Sequence, residues 1–253
     1  MRSTVLKSYL PPAALLGLFF LGWELGVAVL GVPAYLLPPP SRIFQTFLES
    51  KALLVMHAWV TAQEIVVGFA LAFVVGMGFA FLIVHSPLVE KALYPLIIAS
   101  QTIPVFAIAP LLIVWFGYGI MPKVVMTALI TFFPMVVNGV DGLRAADPDF
   151  LNLLRTLKAT RWQLFWKVRL PAALPFFFSG IKIGVAVSVI GAVIGEWVGS
   201  DAGLGYLMLR ANAQLQTDLV FAVIALLSLL GVGLFVFVVL IERIAIPWQH
   251  LNH

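Results

Sequence analysis

The 253-residue sequence has no cysteine and few charges, and each shortage excludes whole classes of protein. Without cysteine there is no disulfide framework, no thiolate metal site and no thiol nucleophile. Charged residues make up 10% of the chain, against about 25% in an ordinary soluble domain. The phosphate-cradling G-x-x-x-x-G-K-[ST] loop is missing, as are the H-E-x-x-H zinc motif and the G-x-S-x-G nucleophile turn. The chain is therefore not expected to hydrolyse ATP itself, to act as an enzyme or to hold a cofactor. His57 and His85 sit at the ends of apolar runs at no metal-ligand spacing. The net charge of +4 is modest, and no nucleic-acid partner is expected.

What is present is apolar. The chain is 62% hydrophobic with a mean hydropathy of +1.08, well above the roughly 45–50% of soluble domains. This composition predicts an all-α, polytopic membrane protein whose first partner is the lipid bilayer. A span needs about 20 apolar residues, and six segments meet that length: about 12–32, 60–84, 93–117, 122–142, 172–198 and 219–241. The N-terminal stretch MRSTVLKSYLPPAALLGLFFLGW has a signal-peptide look, but its apolar run continues to Val32 without an A-x-A-like site. It reads as a retained first span. The third segment carries Pro95, Pro104 and Pro110 and must be kinked or broken. No internal repeat or low-complexity tail interrupts the pattern, so residues 1–253 read as one transmembrane domain.

Lysine and arginine set the orientation. With the N-terminus inside, Arg2, Lys7, Lys91, Arg144, Arg155, Lys158, Arg161, Lys167, Arg169 and Arg243 lie inside, ten in all, against four outside: Arg42, Lys51, Lys123 and Arg210. Both termini are then cytoplasmic. On the outer side, YLLPPPSRIFQTFLES predicts an interfacial helix with Ser41 able to cap it.

The most polar interruption is the loop at about 143–171, which the orientation places in the cytoplasm. Asp147 can cap a helix, Pro148 suits its first position and Asp149 complements its dipole. Phe150, Leu153, Leu154 and Leu157 then fall at i, i+3, i+4 and i+7, one apolar stripe. Thr160 and Gln163 form a capping box for a second short helix with Trp162, Phe165 and Trp166, bounded by Pro171. Two short amphipathic helices rimmed by cations can anchor to anionic lipid or dock in the groove of a cytoplasmic partner.

The loop also resembles a known signature. Permease subunits of ATP-binding-cassette (ABC) importers carry E-A-A-x3-G-x9-I-x-L-P. Here Asn152-Leu153-Leu154 stands at E-A-A, Lys158 at the glycine, and Val168-Arg169-Leu170-Pro171 at I-x-L-P. Further likeness runs through SQTIPVFAIAPLLIVWFG, LPAALPFFFSGIK, GEWVGSDAGLGYL and QTDLVFAVIALLSLLG, about residues 90–240, and lies nearest the nitrate, sulfonate and taurine type that includes thiamine-precursor and riboflavin permeases. The resemblance implies a cytoplasmic pair of coupling helices contacting an ATPase through Phe150, Asn152, Leu153, Leu154, Arg155, Leu157, Lys158, Arg161 and Trp162. It implies two copies of that ATPase, which would hold ATP and Mg, a second permease copy and an extracytoplasmic substrate-binding protein. The cargo it suggests is a pyrimidine precursor of thiamine or a riboflavin-like vitamin, with aliphatic sulfonate, taurine or nitrate as the alternative.

Ionisable groups within spans are costly and mark candidate functions. Lys182 could face the pathway and attract an anion, or pair locally. Glu196 could line an outer gate or cap a neighbouring loop, and Phe133 could stack a flat ring or pack in the core. Glu24 and Glu64 lie near span ends and read as solvated or structural. Gly180, Gly184, Ser188, Gly191 and Gly195 form a small-residue stripe, predicting that the fifth span packs closely against another span or a second copy. An ion-coupled carrier would need acidic groups at mid-membrane on broken helices, which this pattern offers poorly.

Overall fold

The computed structural model describes residues 2–248 and is built of helices connected by short turns. In chain order they are α1 (Arg2–Leu30), α2 (Pro40–Glu49), α3 (Lys51–His85), α4 (Pro87–Ser100), a 3₁₀ turn (Val105–Ile108), α5 (Ala109–Phe116), α6 (Ile120–Arg144), α7 (Pro148–Thr156), α8 (Arg161–Leu164), a π-helical turn (Phe165–Arg169), α9 (Leu170–Trp197), α10 (Leu204–Ala213) and α11 (Thr217–Ala245). Among the described residues five helices are long and apolar enough to cross a membrane, and a sixth crossing arises if α4 and the 105–116 segment count as one. Those two meet at 90°. Pro104 lacks an N–H and disfavours helix at Ile103, so α4 stops at Ser100. The Ser100 and Thr102 hydroxyls donate to the carbonyls of Ile97 and Ala99 at 2.7 and 2.8 Å, the second alongside the Thr102 N–H.

The centre is a sandwich of α6 between α3 and α9. It packs closely because small residues line both outer helices. A methyl group built at Gly76 of α3 would lie 2.7 Å from Met135 Cβ, and one at Gly191 of α9 only 2.7 Å from Thr127 Cα. At Gly180 it would lie 2.8 Å from Asn138 Cβ, and at Gly195 3.0 Å from Lys123 Cα. The stripe of Gly180, Gly184, Ser188, Gly191 and Gly195 is thus buried against α6 of the same chain. α10 and the start of α11 close one end over Leu54, around Leu204, Leu207, Ala222 and Val223. α1 lies to one side and is pinned there by Glu24, whose carboxylate accepts from the Ser41 N–H at 3.0 Å and its hydroxyl at 2.7 Å.

Three expectations change. Ser41 does not cap α2 with its own side chain, because its hydroxyl is spent on Glu24. The spans at 60–84 and 172–198 are parts of longer helices, beginning at Lys51 and at Arg161. Pro171 does not end the second short helix. The Leu170 N–H reaches back to the Phe165 carbonyl, an i to i−5 bond. That widened turn makes room for the ring of Pro171, which would otherwise strike the preceding turn. A continuous helix therefore runs from Arg161 to Trp197, about 55 Å at 1.5 Å per residue.

Candidate functional site

Two polar regions stand at opposite ends of that continuous helix. At the first, Asp147 accepts from the Asp149 N–H at 2.8 Å and opens α7. Lys158 occupies the left-handed region with φ 60°, so the turn has the shape a glycine would give it. Two bonds hold it there: Lys158 N–H to Arg155 O at 2.9 Å and Ala159 N–H to Leu154 O at 3.0 Å. That pair is the Schellman arrangement, and Leu154 and Ala159 add its apolar contact within the Leu151–Leu164 cluster. The Thr160–Gln163 capping box then starts α8 as the sequence suggested.

The apolar stripe divides. Phe150, Leu153 and Leu157 stand exposed, at 47%, 55% and 70%, whereas Leu154 turns inward. Trp162 is 72% exposed beside them. Among the described residues, Arg155, Lys158, Arg161, Lys167 and Arg169 have no carboxylate within ion-pair range. Arg155 donates to the Asn152 side-chain oxygen at 3.1 Å. Together with His85, Arg155, Arg161 and Arg169 line a cleft of about 530 Å³ behind the stripe. At the base of the loop, Arg144 at the end of α6 pairs with Glu90 of α4 at 2.8 Å.

Farther along α9, Lys182 is bound by Glu242 of α11, with both carboxylate oxygens at 2.8–2.9 Å. Its charge is neutralised within the chain. Phe133 packs against the core of Ala80, Val136, Val140 and Ala173.

The second polar region is buried around the end of α9. Glu196 is 1% exposed and Glu64 is fully buried, with Thr61, His57 and Lys123 beside them. Lys123 pairs with Glu64 at 3.1 Å. Glu196 accepts from the Thr61 hydroxyl at 2.6 Å, and from the backbone N–H groups of Gly205 and, at 3.3 Å, Tyr206. The Leu204 N–H donates to Thr61 at 2.8 Å and the Gly203 N–H to His57 Nδ1 at 3.0 Å. Gly203 has φ 112°, and a side chain there would strike the Glu196 carboxyl. Glu196 is thus the post on which the 199–206 turn hangs.

Sequence reasoning marked Glu196 but missed its companions. Of the two readings given for Glu64, solvated or structural, its burial supports the second, and Lys123, counted among the outer charges, is buried with it. A signal was present. His57, Thr61 and Glu64 fall at i, i+4 and i+7, a polar face on an otherwise apolar helix, continued by the buried small residues Gly68, Ala72, Gly76 and Ala80.

Residues 65–245 match the family described as the binding-protein-dependent transport system inner membrane component. The chain belongs to that family. A probable ABC transporter permease protein of Haemophilus influenzae is 46% identical over 226 residues, covering 89% of this chain and 91% of its own. The formylaminopyrimidine transport permease protein of Halalkalibacterium halodurans is 42% identical over 228 residues, covering 90% and 91%. A chain of the MetNI methionine ABC transporter, solved in inward facing conformations, superposes with a TM-score of 0.66 at 21% identity, covering 77% of this chain and 97% of that one. That likeness establishes the shared fold. The protein is an all-α, multi-pass inner-membrane permease of the ABC importer class, and its relatives are transporter subunits rather than enzymes.

Proposed function

We propose that this permease works as a pair, with two ABC ATPases docked on the 147–171 loops and a substrate-binding protein at the opposite end. The observation that carries the proposal is the exposed ridge of Phe150, Leu153, Leu157 and Trp162, rimmed by cations without carboxylate partners among the described residues. An isolated chain gains nothing by presenting such a ridge to water. Covering a leucine contributes about 1.5–3 kcal/mol, and a groove with acidic edges would also answer the cations. ATP and Mg belong to that partner, because this chain has no phosphate-binding loop. In this arrangement the loop and both chain termini are cytoplasmic.

The continuous Arg161–Trp197 helix supplies the mechanical link. Its loop end carries Arg161 and Trp162, its middle bears on α6 through the glycine stripe, and its far end holds Glu196. Closure of the ATPases would move the loop end and tilt the helix about that contact, displacing the 199–206 turn and switching access to the pathway. The π-helical turn at Phe165–Arg169 is the natural place for the helix to flex.

For the cargo, 42% identity to a formylaminopyrimidine permease favours a pyrimidine precursor of thiamine or a related flat-ring vitamin. Pairing of Lys182 with Glu242 removes the free cation that would have favoured the sulfonate, taurine or nitrate alternative. The test is co-purification of the tagged permease with the products of neighbouring genes, followed by ATPase assay in lipid. An ATPase stimulated by a binding protein loaded with a pyrimidine is expected. A chain that purifies alone and shows no ATPase activity would return the ridge and its tryptophans to lipid anchoring.

A further inference from the structure

The buried cluster at the far end of α9 contains a donor deficit. Glu64 is fully buried, and neither of its oxygens has a hydrogen-bond donor in good geometry; among the described residues the Lys123 ammonium, at 3.1 Å, is the one cation paired with it. Glu64 stands one helical turn beyond Thr61, whose hydroxyl binds Glu196, so the two buried carboxyls share one pocket. Two ionised carboxylates in contact are both acceptors, and the contact is repulsive. Glu196 already accepts three donors, Thr61 on one oxygen and Gly205 and Tyr206 on the other, which leaves about one of its four lone-pair positions, on the Thr61-bonded oxygen, for a further donor. Among the described residues no charged donor besides Lys123 compensates. His57 accepts the Gly203 N–H through Nδ1, so its ring is neutral, and Arg210 and Tyr206, on α10, are outward-facing and half-buried respectively.

The charge count gives the remedy. Two carboxylates and one ammonium leave a buried net charge of −1, whereas two carboxyls sharing one proton with one ammonium are neutral. We propose that this cluster is a proton-binding site, in which one proton is held between Glu64 and Glu196, mainly as the donor from Glu64, and keeps the 199–206 turn seated on Glu196. With that proton in place Glu64 gains a donor role, Glu196 remains the ionised acceptor for the turn, and Lys123 balances it. Without it the two carboxylates separate, and the hydrogen bonds to Gly205 and Tyr206 are the first to be lost. The site would be a fixed feature of the permease whatever the cargo.

Two isosteric variants separate this from a doubly ionised pair. Glu64→Gln supplies a neutral N–H donor toward Glu196 and should preserve stability and slow hydrogen exchange at Gly205 and Tyr206. Glu196→Gln turns an amide N–H₂ toward donors already present and should abolish that protection, speeding exchange at those two amides by about tenfold or more. On the purified full-length chain, the infrared spectrum should show a protonated-carboxyl C=O band that shifts in D₂O and disappears in Glu64→Gln. Wild-type protein without such a band would overturn the proposal. So would a Glu64→Gln variant that loses amide protection as fully as Glu196→Gln. Neither readout depends on the ATPase or on transport, so failure here is distinct from failure of the importer assignment.

Discussion

The two ends of the Arg161–Trp197 helix treat charge in opposite ways. At the loop end, five cations lack carboxylate partners among the described residues and flank apolar side chains exposed by about half or more. At the far end, an ammonium and two carboxyls are withdrawn from solvent, and the donors of Thr61, Gly203, Leu204 and Gly205 all find acceptors within the chain. An unanswered surface is completed by another molecule, and an answered interior holds its own chain in place. The difference therefore assigns docking to one end and conformational hold to the other.

Four substitutions would break or sharpen that contrast. Lys123→Met at the buried end leaves the carboxyl cluster of Glu64 and Glu196 with no counter-charge. Loss of one partner of a buried pair costs about 3–5 kcal/mol, so thermal unfolding in detergent should show a large fall in the midpoint. Leu153→Asp at the exposed end should leave that midpoint unchanged, because the side chain touches no core. It should weaken ATPase binding by about 1.5–3 kcal/mol, roughly 10- to 150-fold, as read by titration of the separate ATPase. The same change at Leu154 would not be diagnostic, since that leucine packs inside the loop.

Between the ends, Gly191→Ala forces a methyl group 2.7 Å from Thr127 Cα. Overpacking of this kind costs about 1–3 kcal/mol and should disturb the α6–α9 contact while sparing ATPase binding. The smallest effect is at Lys158, held at φ 60°. Lys158→Gly removes about 1 kcal/mol of left-handed strain, and hydrogen exchange at Ala159 should slow slightly.

Much of this was legible from residue order. The spans follow from apolar length, the break before Pro104 from proline chemistry, and both helix starts in the loop from Asp147, Thr160 and Gln163. These are local rules, satisfied within a few residues. What escaped depends on partners remote in sequence or on one adjustable turn. Lys182 shows a cation but not that Glu242 lies opposite, and Lys123 looks like a loop charge until α6 brings it to Glu64. Continuity through Pro171 rests on a π-helical turn, which no simple spacing announces. Lys158 gives no residue-level sign that the left-handed turn is kept. Backbone hydrogen bonds and the Leu154–Ala159 contact impose it.

The link between the two ends is the claim most worth testing, and the absence of cysteine makes the test clean. A single Ser200→Cys accepts one spectroscopic label per chain in the 199–206 turn, attached before assembly, with no background site in this chain. In the assembled importer, adding ATP with hydrolysis blocked should change the label's mobility, and Leu153→Asp should abolish the change. A label indifferent to ATP in a complex whose ATPase is bound and active would contradict transmission along the α8–α9 helix.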